Sequence, residues 1–368
     1  MTSARTSIAP LLFAVAAIAV FAIFVGASVL AGAAAGTLGF DFLAYLGAAR
    51  RVLDVHRLYD LTVHQAGAFG LFYYPPPVAL LLLPFALLPP SLATWLWTAA
   101  IVGAFAVGVA VMPVSGWVRW ATILLAGLSW PFVYAVKLGQ VGPILFLLFA
   151  IGWRWMDRPR VLGASIAAGA LIKIQPGLLL LWAAASRRLE AVAVAVVVGL
   201  VVLVASTLLT GGVSTWFDYL TMLRNVSDPI TTPHNFTAGA IAYQLGAGTT
   251  AAAVVQLTVS LLVIGAVVLS ARISMPAASY LIAVVASQLL SPLLWDHYAM
   301  LLLLPVAWLL NQGYRWAIVI PLATSTLLIS VTPPVAYPLA FGAALIAVFA
   351  VGTPRRRGEE RIAVAGAA

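Results

Sequence analysis

Residues 8–35 read IAPLLFAVAAIAVFAIFVGASVLAGAAA, and residues 39–60 read GFDFLAYLGAARRVLDVHRLYD. The first stretch has no charged residue and exceeds the roughly 20 apolar residues that a helix needs to cross a bilayer. It predicts a retained anchor helix with its N-terminus in the cytoplasm. The second stretch holds three of the ten acidic residues of the chain, Asp41, Asp54 and Asp60. This concentration directly after a predicted span needs an explanation.

The composition is that of a membrane protein. Of the 368 residues, 64% are hydrophobic and 8% are charged, and the mean hydropathy is +1.09, whereas a typical soluble domain is about 25% charged. Cysteine is absent from the sequence, which excludes disulfides, thiolate metal sites and cysteine nucleophiles. The net charge of +9 comes from short basic clusters between apolar runs. That distribution indicates orientation by the positive-inside rule rather than nucleic-acid binding.

Apolar runs recur along nearly the whole chain. They predict an all-α, polytopic integral membrane protein of about twelve transmembrane helices, with residues 1–368 forming one multi-pass domain. The tail, residues 352–368, contains three adjacent arginines and is expected in the cytoplasm. The runs cover residues 8–35, 75–89, 91–112, 118–136, 141–155, 161–186, 191–210, 251–271, 276–291, 298–311, 315–331 and 338–351.

One part of this topology conflicts with itself. Strict alternation puts WRWMDRPR, residues 153–160, on the outer side, yet its three arginines favour the cytoplasm. Either the charge rule is broken here, or a flanking run is re-entrant rather than spanning. The flanking runs are interrupted by Gly139, Gly142 or Pro176.

The predicted outer segments hold most of the scarce ionisable groups. They contain all four histidines and six of the seven aspartates. Functional residues are often found in loops that a rigid scaffold holds in place. This distribution therefore favours an outward-facing functional site over the alternative that these loops are polar only because they contact water. The outer segments are residues 36–74, 211–250, 291–298 and 332–337.

The first outer segment predicts an amphipathic helix. Its apolar side chains recur at helical spacing, with the charged ones on the other face. We expect this helix to lie flat at the outer membrane interface. Asp41 stands at its start, where it is either an N-cap or a catalytic base at the mouth of a cavity. The apolar residues are Phe42, Tyr45, Leu46, Ala49, Val52 and Leu53, and the charged ones are Arg50, Arg51, Asp54 and Arg57.

A series of motifs in fixed order resembles glycosyltransferase family 87, a bacterial family of GT-C fold that includes polyprenyl-phosphate-mannose-dependent mannosyltransferases. The resemblance extends over most of the chain. Its most specific parts are the Tyr-Pro-Pro-Pro run, the Gly-Gln turn, the helix break after Lys173, and the Ser-Pro-x-x-Trp-Asp-His segment. The motifs are GFDFLAY, YDLTVHQ, FYYPPPVALLLLPFALLPP, KLGQVGPILFLL, LIKIQPGLLLL and SPLLWDHYAMLLLLP.

The resemblance implies an essential acidic residue in the first outer loop, and Asp41 matches it. The late motif carries over onto Trp295, Asp296 and His297. This chain departs from the family where related sequences often read Lys-Pro-Gln, because it reads Lys-Ile-Gln-Pro from Lys173.

The chemistry of such a reaction fits these residues. A lipid phosphate is a good leaving group, so one carboxylate acting as base and fixed positive charge near the phosphate suffice. We therefore predict Asp41 and His297 as catalytic residues. The predicted donor-phosphate ligands are Lys137, Lys173, Arg50 and Arg51, the two lysines being alternatively residues that snorkel to an interface.

Substrate recognition is expected from the polar loop 211–250 and the late motif. The predicted substrate-binding residues are Trp295, Asp296, Tyr298, His234 and Asn235. No metal site is predicted, because acidic pairs at ligand spacing are missing, and no cofactor is expected beyond a polyprenyl-phosphate sugar donor.

The sequence thus predicts a glycosyltransferase of the bacterial cytoplasmic membrane whose active site faces outward. The expected partners are membrane lipids, the lipid-linked donor and a glycan or glycolipid acceptor, without nucleic acid, and the oligomeric state stays open. The alternative is a transporter or lipid flippase, which would normally show internal repeats or broken helices with ionisable groups near the membrane centre.

Overall fold

The computed structural model describes residues 8–63, 70–226, 228–325 and 333–354. These residues are helical, with no strand among them. The predicted cytoplasmic tail lies outside them from residue 355 onward. The α-helices are α1 Ala9–Ala34, α2 Phe40–Leu53, α3 Pro76–Leu81, α4 Leu83–Ala86, α5 Pro90–Val111, α6 Gly116–Leu128, α7 Trp130–Leu138, α8 Gly142–Arg154, α9 Pro159–Ile172, α10 Leu178–Ala185, α11 Leu189–Leu209, α12 Ser214–Val226, α13 Ala238–Gln244, α14 Thr249–Ile273, α15 Pro276–Leu289, α16 Leu303–Asn311, α17 Val319–Leu322 and α18 Ala336–Gly352, with 3₁₀ segments Gln175–Gly177, Asp296–Leu302 and Arg315–Ile318.

Four helices, α1, α5, α11 and α14, are long and apolar enough to cross a membrane. A fifth span is possible if α6 and α7, which meet at a 70° bend, are counted together. The chain is therefore a membrane protein, but the predicted count of twelve spans is not confirmed. Several predicted runs form helices such as α9 and α15, whose 14 residues extend only about 21 Å, less than the roughly 30 Å hydrocarbon core.

The run 161–186 folds back on itself. Helix α9 ends at Lys173, whose backbone is extended, and a 3₁₀ turn around Pro176 leads into α10. Proline lacks the amide hydrogen that a continuing helix requires. Away from this turn, Arg188, which follows α10, forms an ion pair with Asp157, which precedes α9, at 3.2 Å. The chain therefore enters and leaves the α9–α10 hairpin at the same end. The chain therefore reverses direction within this predicted run.

The buried centre of the protein is formed by α15 and α16. Every residue of α15 from Ala278 to Leu289 is buried, as is α16 from Leu303 to Leu310. Helix α15 packs against α8, α10, α14 and α18. The long helices α11 and α14 lie outside this centre and expose most of their side chains, as helices facing lipid do.

Two glycine turns meet beside α5. Gly39 precedes α2 and Gly139 follows α7, and both have left-handed φ angles, +74° and +72°. The Gly39 amide donates to the Lys137 carbonyl at 2.8 Å, and the Trp97 indole donates to the Gly139 carbonyl at 2.7 Å. A Cβ atom on Gly139 would lie 2.7 Å from the Cβ of Phe42. The two turns therefore require glycine both for conformation and for space.

Helix α2 differs from its predicted environment and cap. Its N-cap residue is Gly39, and the Asp41 carboxylate accepts a hydrogen bond from Gln140 instead, so the prediction that Asp41 caps the helix is wrong. The apolar face, including Phe42 and Tyr45, is buried against α3, α4, α5 and α7. A position at the membrane interface is not confirmed for this helix.

Helix α12 is fastened to the segment after α2. Arg57 forms a bidentate ion pair with Asp218, with N···O distances of 2.7 and 2.8 Å. The Asn225 side chain donates to the Leu61 carbonyl at 3.2 Å, and the ring of Tyr59 packs on that of Tyr219. The first and second outer segments predicted from the sequence are thus joined in the structure.

We expect Gly139→Ala to lower the free energy of unfolding by about 1–3 kcal/mol, because alanine at positive φ is strained and its methyl group would overlap Phe42. The measurement is the thermal unfolding midpoint of the detergent-purified protein. The control is Gly103→Ala in α5, where an added Cβ meets no atom within 4 Å. Equal midpoints for both variants would contradict the requirement for glycine at this turn.

Candidate active site

A cavity of about 790 Å³ opens among the N-terminal end of α2, the hairpin tip and the late motif. Seven of the predicted site residues line it, namely Asp41, Lys173, His234, Trp295, Asp296, His297 and Tyr298. Residues that are distant in the sequence therefore meet in one space.

Asp41 lies at the end of a hydrogen-bonded series of buried polar groups. The Gln140 amide nitrogen donates to the Asp41 carboxylate. The Gln140 carbonyl oxygen accepts from the Tyr74 hydroxyl at 3.0 Å, and the Tyr45 hydroxyl donates to that of Tyr74 at 2.8 Å. The carboxylate consequently has a fixed position at the cavity wall.

The surroundings of Asp41 set its pKa. Burial raises the pKa of this carboxyl above its ordinary value of 3.8, while His297, the hydrogen bond from Gln140 and the charge of Lys173 act in the opposite direction. The Asp296 carboxylate raises the pKa further. A raised pKa makes the ionised carboxylate a stronger base, and the nearby cationic groups favour its ionised form. Both properties suit proton abstraction.

Lys173 is a buried cation with no carboxylate partner among the described residues. Its exposed fraction is 9%, and its ammonium lies 3.9 Å from the ring centroid of Tyr298 and 5.5 Å from that of Tyr74. Aromatic faces attract a cation but do not neutralise it. Because an unpaired buried charge is costly, this position suits an anionic ligand.

Two further residues of the cavity wall, His297 and Gln175, each carry a buried nitrogen, Nε2, without a hydrogen-bond partner among the described residues. His297 sits beside Asp296, with Nδ1 3.5 Å from the carboxylate, and that carboxylate also accepts from the His297 amide at 2.7 Å. Lys173, Gln175 and His297 therefore bring three nitrogen-bearing side chains to one cavity wall.

The remaining predicted ligands do not line the cavity. Arg50 donates to the Leu88 carbonyl at 3.0 Å and Arg51 to the Leu58 carbonyl at 3.0 Å. Both guanidinium groups are therefore hydrogen-bonded to backbone carbonyls. The side chain of Lys137 packs toward Gly32 of α1. These three residues are predicted phosphate ligands that the structure does not bring to Asp41.

Asn235 has a structural position rather than a place in the cavity wall. Its side chain is fully buried and bonds the backbone of two neighbouring segments, donating to the carbonyls of Pro229 and Pro292 and accepting from the amides of Thr237 and Leu294. All of its hydrogen-bonding capacity is thereby used. Its neighbour His234, which has a left-handed φ of +57°, does line the cavity.

The sequence reasoning missed several cavity residues. Gln140 and Tyr74 lie within the quoted motifs KLGQVG and FYYPPP, but no role was predicted for either. Trp130 and Tyr134 are spaced by four residues on α7 and stack with centroids 4.9 Å apart. The spacing indicates that they share a helix face, but the bend at Ser129 that directs this face into the cavity could not be predicted.

The carboxylates of the cavity are also candidates for metal ligation. Although Asp41 and Asp296 both reach the cavity, no group of three or more histidine or acidic side chains that could hold a metal ion occurs within the described ranges. The positively charged group at this position is Lys173.

Comparison with known proteins bears on the whole arrangement. No curated protein and no solved structure matches the chain significantly. A family model, glycosyltransferase family 87, matches residues 72–305. This range covers well over half of the chain and includes Tyr74, Gln140, Lys173 and the late motif, whereas Asp41 precedes it. The resemblance seen in the motifs is confirmed, and the chain belongs to glycosyltransferase family 87, a family of membrane glycosyltransferases.

Proposed function

We propose that this protein moves a sugar, with mannose the first candidate, from a polyprenyl-phosphate donor to the hydroxyl of a lipid-linked or glycan acceptor. The transfer takes place at the outer face of the bacterial cytoplasmic membrane. It requires no cofactor or metal, and its partners are membrane lipids and the two substrates rather than nucleic acid. The observation that carries the proposal is the unpaired, buried Lys173 in the same cavity as Asp41.

A phosphate diester matches the charges and donors on the cavity wall. The ammonium of Lys173 would neutralise the phosphate oxygens, and the side chains of Gln175 and His297 lie on the same wall. A neutral sugar alone would leave Lys173 uncompensated. Anionic leaving-group stabilisation by preorganised donors is a major source of rate enhancement in group transfer.

The chemical step follows from one base and one cation. The Asp41 carboxylate accepts the proton of the acceptor hydroxyl, and that oxygen forms the new bond to the anomeric carbon of the sugar. The bond between this carbon and the phosphate oxygen breaks, and its electron pair leaves with the polyprenyl phosphate beside Lys173. Attack opposite to the leaving group inverts the anomeric configuration. Asp41 then returns its proton to solvent.

Sugar recognition is assigned to the aromatic part of the cavity. Trp130, Tyr134, Trp295 and Tyr298 present rings to the space beside Asp41. Rings of this kind give a sugar a flat apolar surface while nearby polar groups fix its orientation. His234 and Tyr219, on the side of the second outer segment, are placed to contact the acceptor.

We predict that Asp41→Asn abolishes transfer of a radiolabelled sugar from its polyprenyl-phosphate donor. Asparagine can still accept a hydrogen bond from Gln140 but cannot take a proton, so we expect a loss of at least about 100-fold. The control is Asp54→Asn, an exposed carboxylate at the end of the same helix. Turnover of Asp41→Asn within a few-fold of wild type would exclude Asp41 as the base. Donor binding without any transfer by the wild-type protein would favour the transporter alternative.

The acid side of the pH profile tests the electrostatic assignment. Only the ionised carboxylate of Asp41 can accept a proton, so the rate falls as the pH drops through its pKa, which burial raises and Lys173 lowers. Lys173→Met removes a charge that lowers this pKa, and the acid limb of the profile should therefore move to higher pH. The Michaelis constant for the donor should also rise.

Lys137→Met is the matched control for this experiment, because the side chain of Lys137 lies outside the cavity. Its acid limb and donor affinity should equal those of wild type. A larger effect for Lys137→Met than for Lys173→Met would indicate that the donor phosphate binds at Lys137 and not at Lys173.

The proposed orientation can be tested by labelling, since the chain has no native cysteine. Asp60→Cys and Asp228→Cys, both at exposed positions near the cavity end, should react with an impermeant maleimide on intact cells. Arg158→Cys, exposed at the opposite end of α9, should react only after the membrane is opened. The reverse pattern would place the active site on the cytoplasmic side.

A further inference from the structure

We propose that Gln140 is a positioning residue that holds the Asp41 carboxylate in the orientation for accepting the acceptor proton, and that Tyr74 fixes the direction of the Gln140 amide. This inference rests on the proposed function of Asp41 as the base. It adds a role for residues that lie on the wall of the same cavity and that act on the substrates only through Asp41 in the proposed step.

The direction of the Gln140 amide follows from its partners. A tyrosine hydroxyl can donate to the amide oxygen, as that of Tyr74 does at 3.0 Å, whereas an ionised carboxylate can only accept. The amide nitrogen must therefore face Asp41, as it does in the structure. If the amide turned over, its oxygen would face the carboxylate, and two acceptors would be in contact without a proton between them.

The backbone of Gln140 is as restrained as its side chain. It directly follows Gly139, whose left-handed turn is fixed against Gly39 and Phe42. The Gln140 amide donates to the Ala135 carbonyl at 2.9 Å, and the side chain is 6% exposed. A buried residue on a glycine-defined turn can hold a neighbouring group with the precision that proton transfer requires.

The tyrosines extend this restraint away from the reacting atoms. Tyr45 donates to Tyr74 at 2.8 Å and also approaches the Gln140 oxygen at 3.3 Å. Both rings are buried and pack against each other with centroids 4.7 Å apart. Loss of the Tyr74 hydroxyl should thus weaken the hold on the amide, and loss of the Tyr45 hydroxyl should have a smaller effect because its contact with the Gln140 oxygen is longer, 3.3 Å against 3.0 Å.

Several charged and titratable groups besides Gln140 face Asp41 and influence the pH dependence of its ionisation. The cationic or titratable groups are Lys173 after α9 and His297 on the 3₁₀ segment, the acid is Asp296, and the phenols are Tyr45, Tyr74 and Tyr134. Among these neighbours the Gln140 hydrogen bond favours the ionised carboxylate. Its removal should therefore shift ionisation of Asp41 to higher pH while the other charges are unchanged.

The experiment compares Gln140→Glu, Gln140→Leu and Tyr74→Phe in the full-length protein, with donor transfer measured over a range of pH. We expect Gln140→Glu to move the acid limb furthest upward, because two carboxylates in contact share a proton. Gln140→Leu should also move it upward and lower kcat by about 10-fold or more, with little change in the Michaelis constant for the donor. Tyr74→Phe should show a smaller shift in the same direction.

Two buried residues away from the cavity wall serve as matched controls. Gln288 donates to Ser287 at 2.9 Å, and Tyr280 donates to the Phe149 carbonyl at 2.9 Å. Gln288→Leu and Tyr280→Phe should change thermal stability without moving the acid limb. Should Gln140→Leu destabilise the fold, Tyr74→Phe still decides the question because it removes one hydroxyl and retains the ring.

The inference is overturned if the acid limbs of Gln140→Glu and Tyr74→Phe coincide with that of wild type, or if their lost activity follows the loss of folded protein as in the controls. This failure is distinct from failure of the proposed function. An inactive Asp41→Asn together with unmoved acid limbs would retain Asp41 as the base and remove only the role of Gln140.

Discussion

The contact between the Gly39 and Gly139 turns is the constraint on which the active site depends. The amide of Gly39 bonds the carbonyl of Lys137, and no side chain separates the two turns. As a result, Asp41 on the first turn of α2 faces Gln140 on the turn between α7 and α8. A side chain at either glycine would push these elements apart, and the base would lose the group that orients it.

The cavity brings a carboxylate and cations together in a space that is mostly apolar. Ion pairing in such surroundings is stronger than in water, but removing the charges from water is costly. Asp41 and Lys173 form no direct ion pair, and each is held by neutral groups, the amide of Gln140 and the ring of Tyr298. The two charges are thereby kept separate, which matches the proposed reaction, where Asp41 serves the acceptor hydroxyl and Lys173 the donor phosphate.

Much of the site could be predicted from the sequence, because rare ionisable residues in an apolar chain mark function whatever the exact fold. Asp41, Lys173 and the Trp295–Tyr298 motif indeed line one cavity. Arg50, Arg51 and Lys137 do not, since a pattern of charge along a helix does not tell which carbonyl a long side chain will reach. The predicted number of spans is not confirmed, for a related reason. Hydropathy measures apolar length, but it does not detect the 70° bend between α6 and α7 or the reversal at Lys173.

The α9–α10 hairpin has a consequence for how the protein is assembled. Its arms have 14 and 8 residues, too short to cross the bilayer alone, and the extended backbone and lysine at its tip would be costly in contact with lipid. The hairpin needs protein surroundings, which α3 and α8 supply from the chain before it and α11, α14 and α15 from the chain after it. The segment that carries Lys173 therefore lacks part of its surroundings until α14 and α15 have been synthesised.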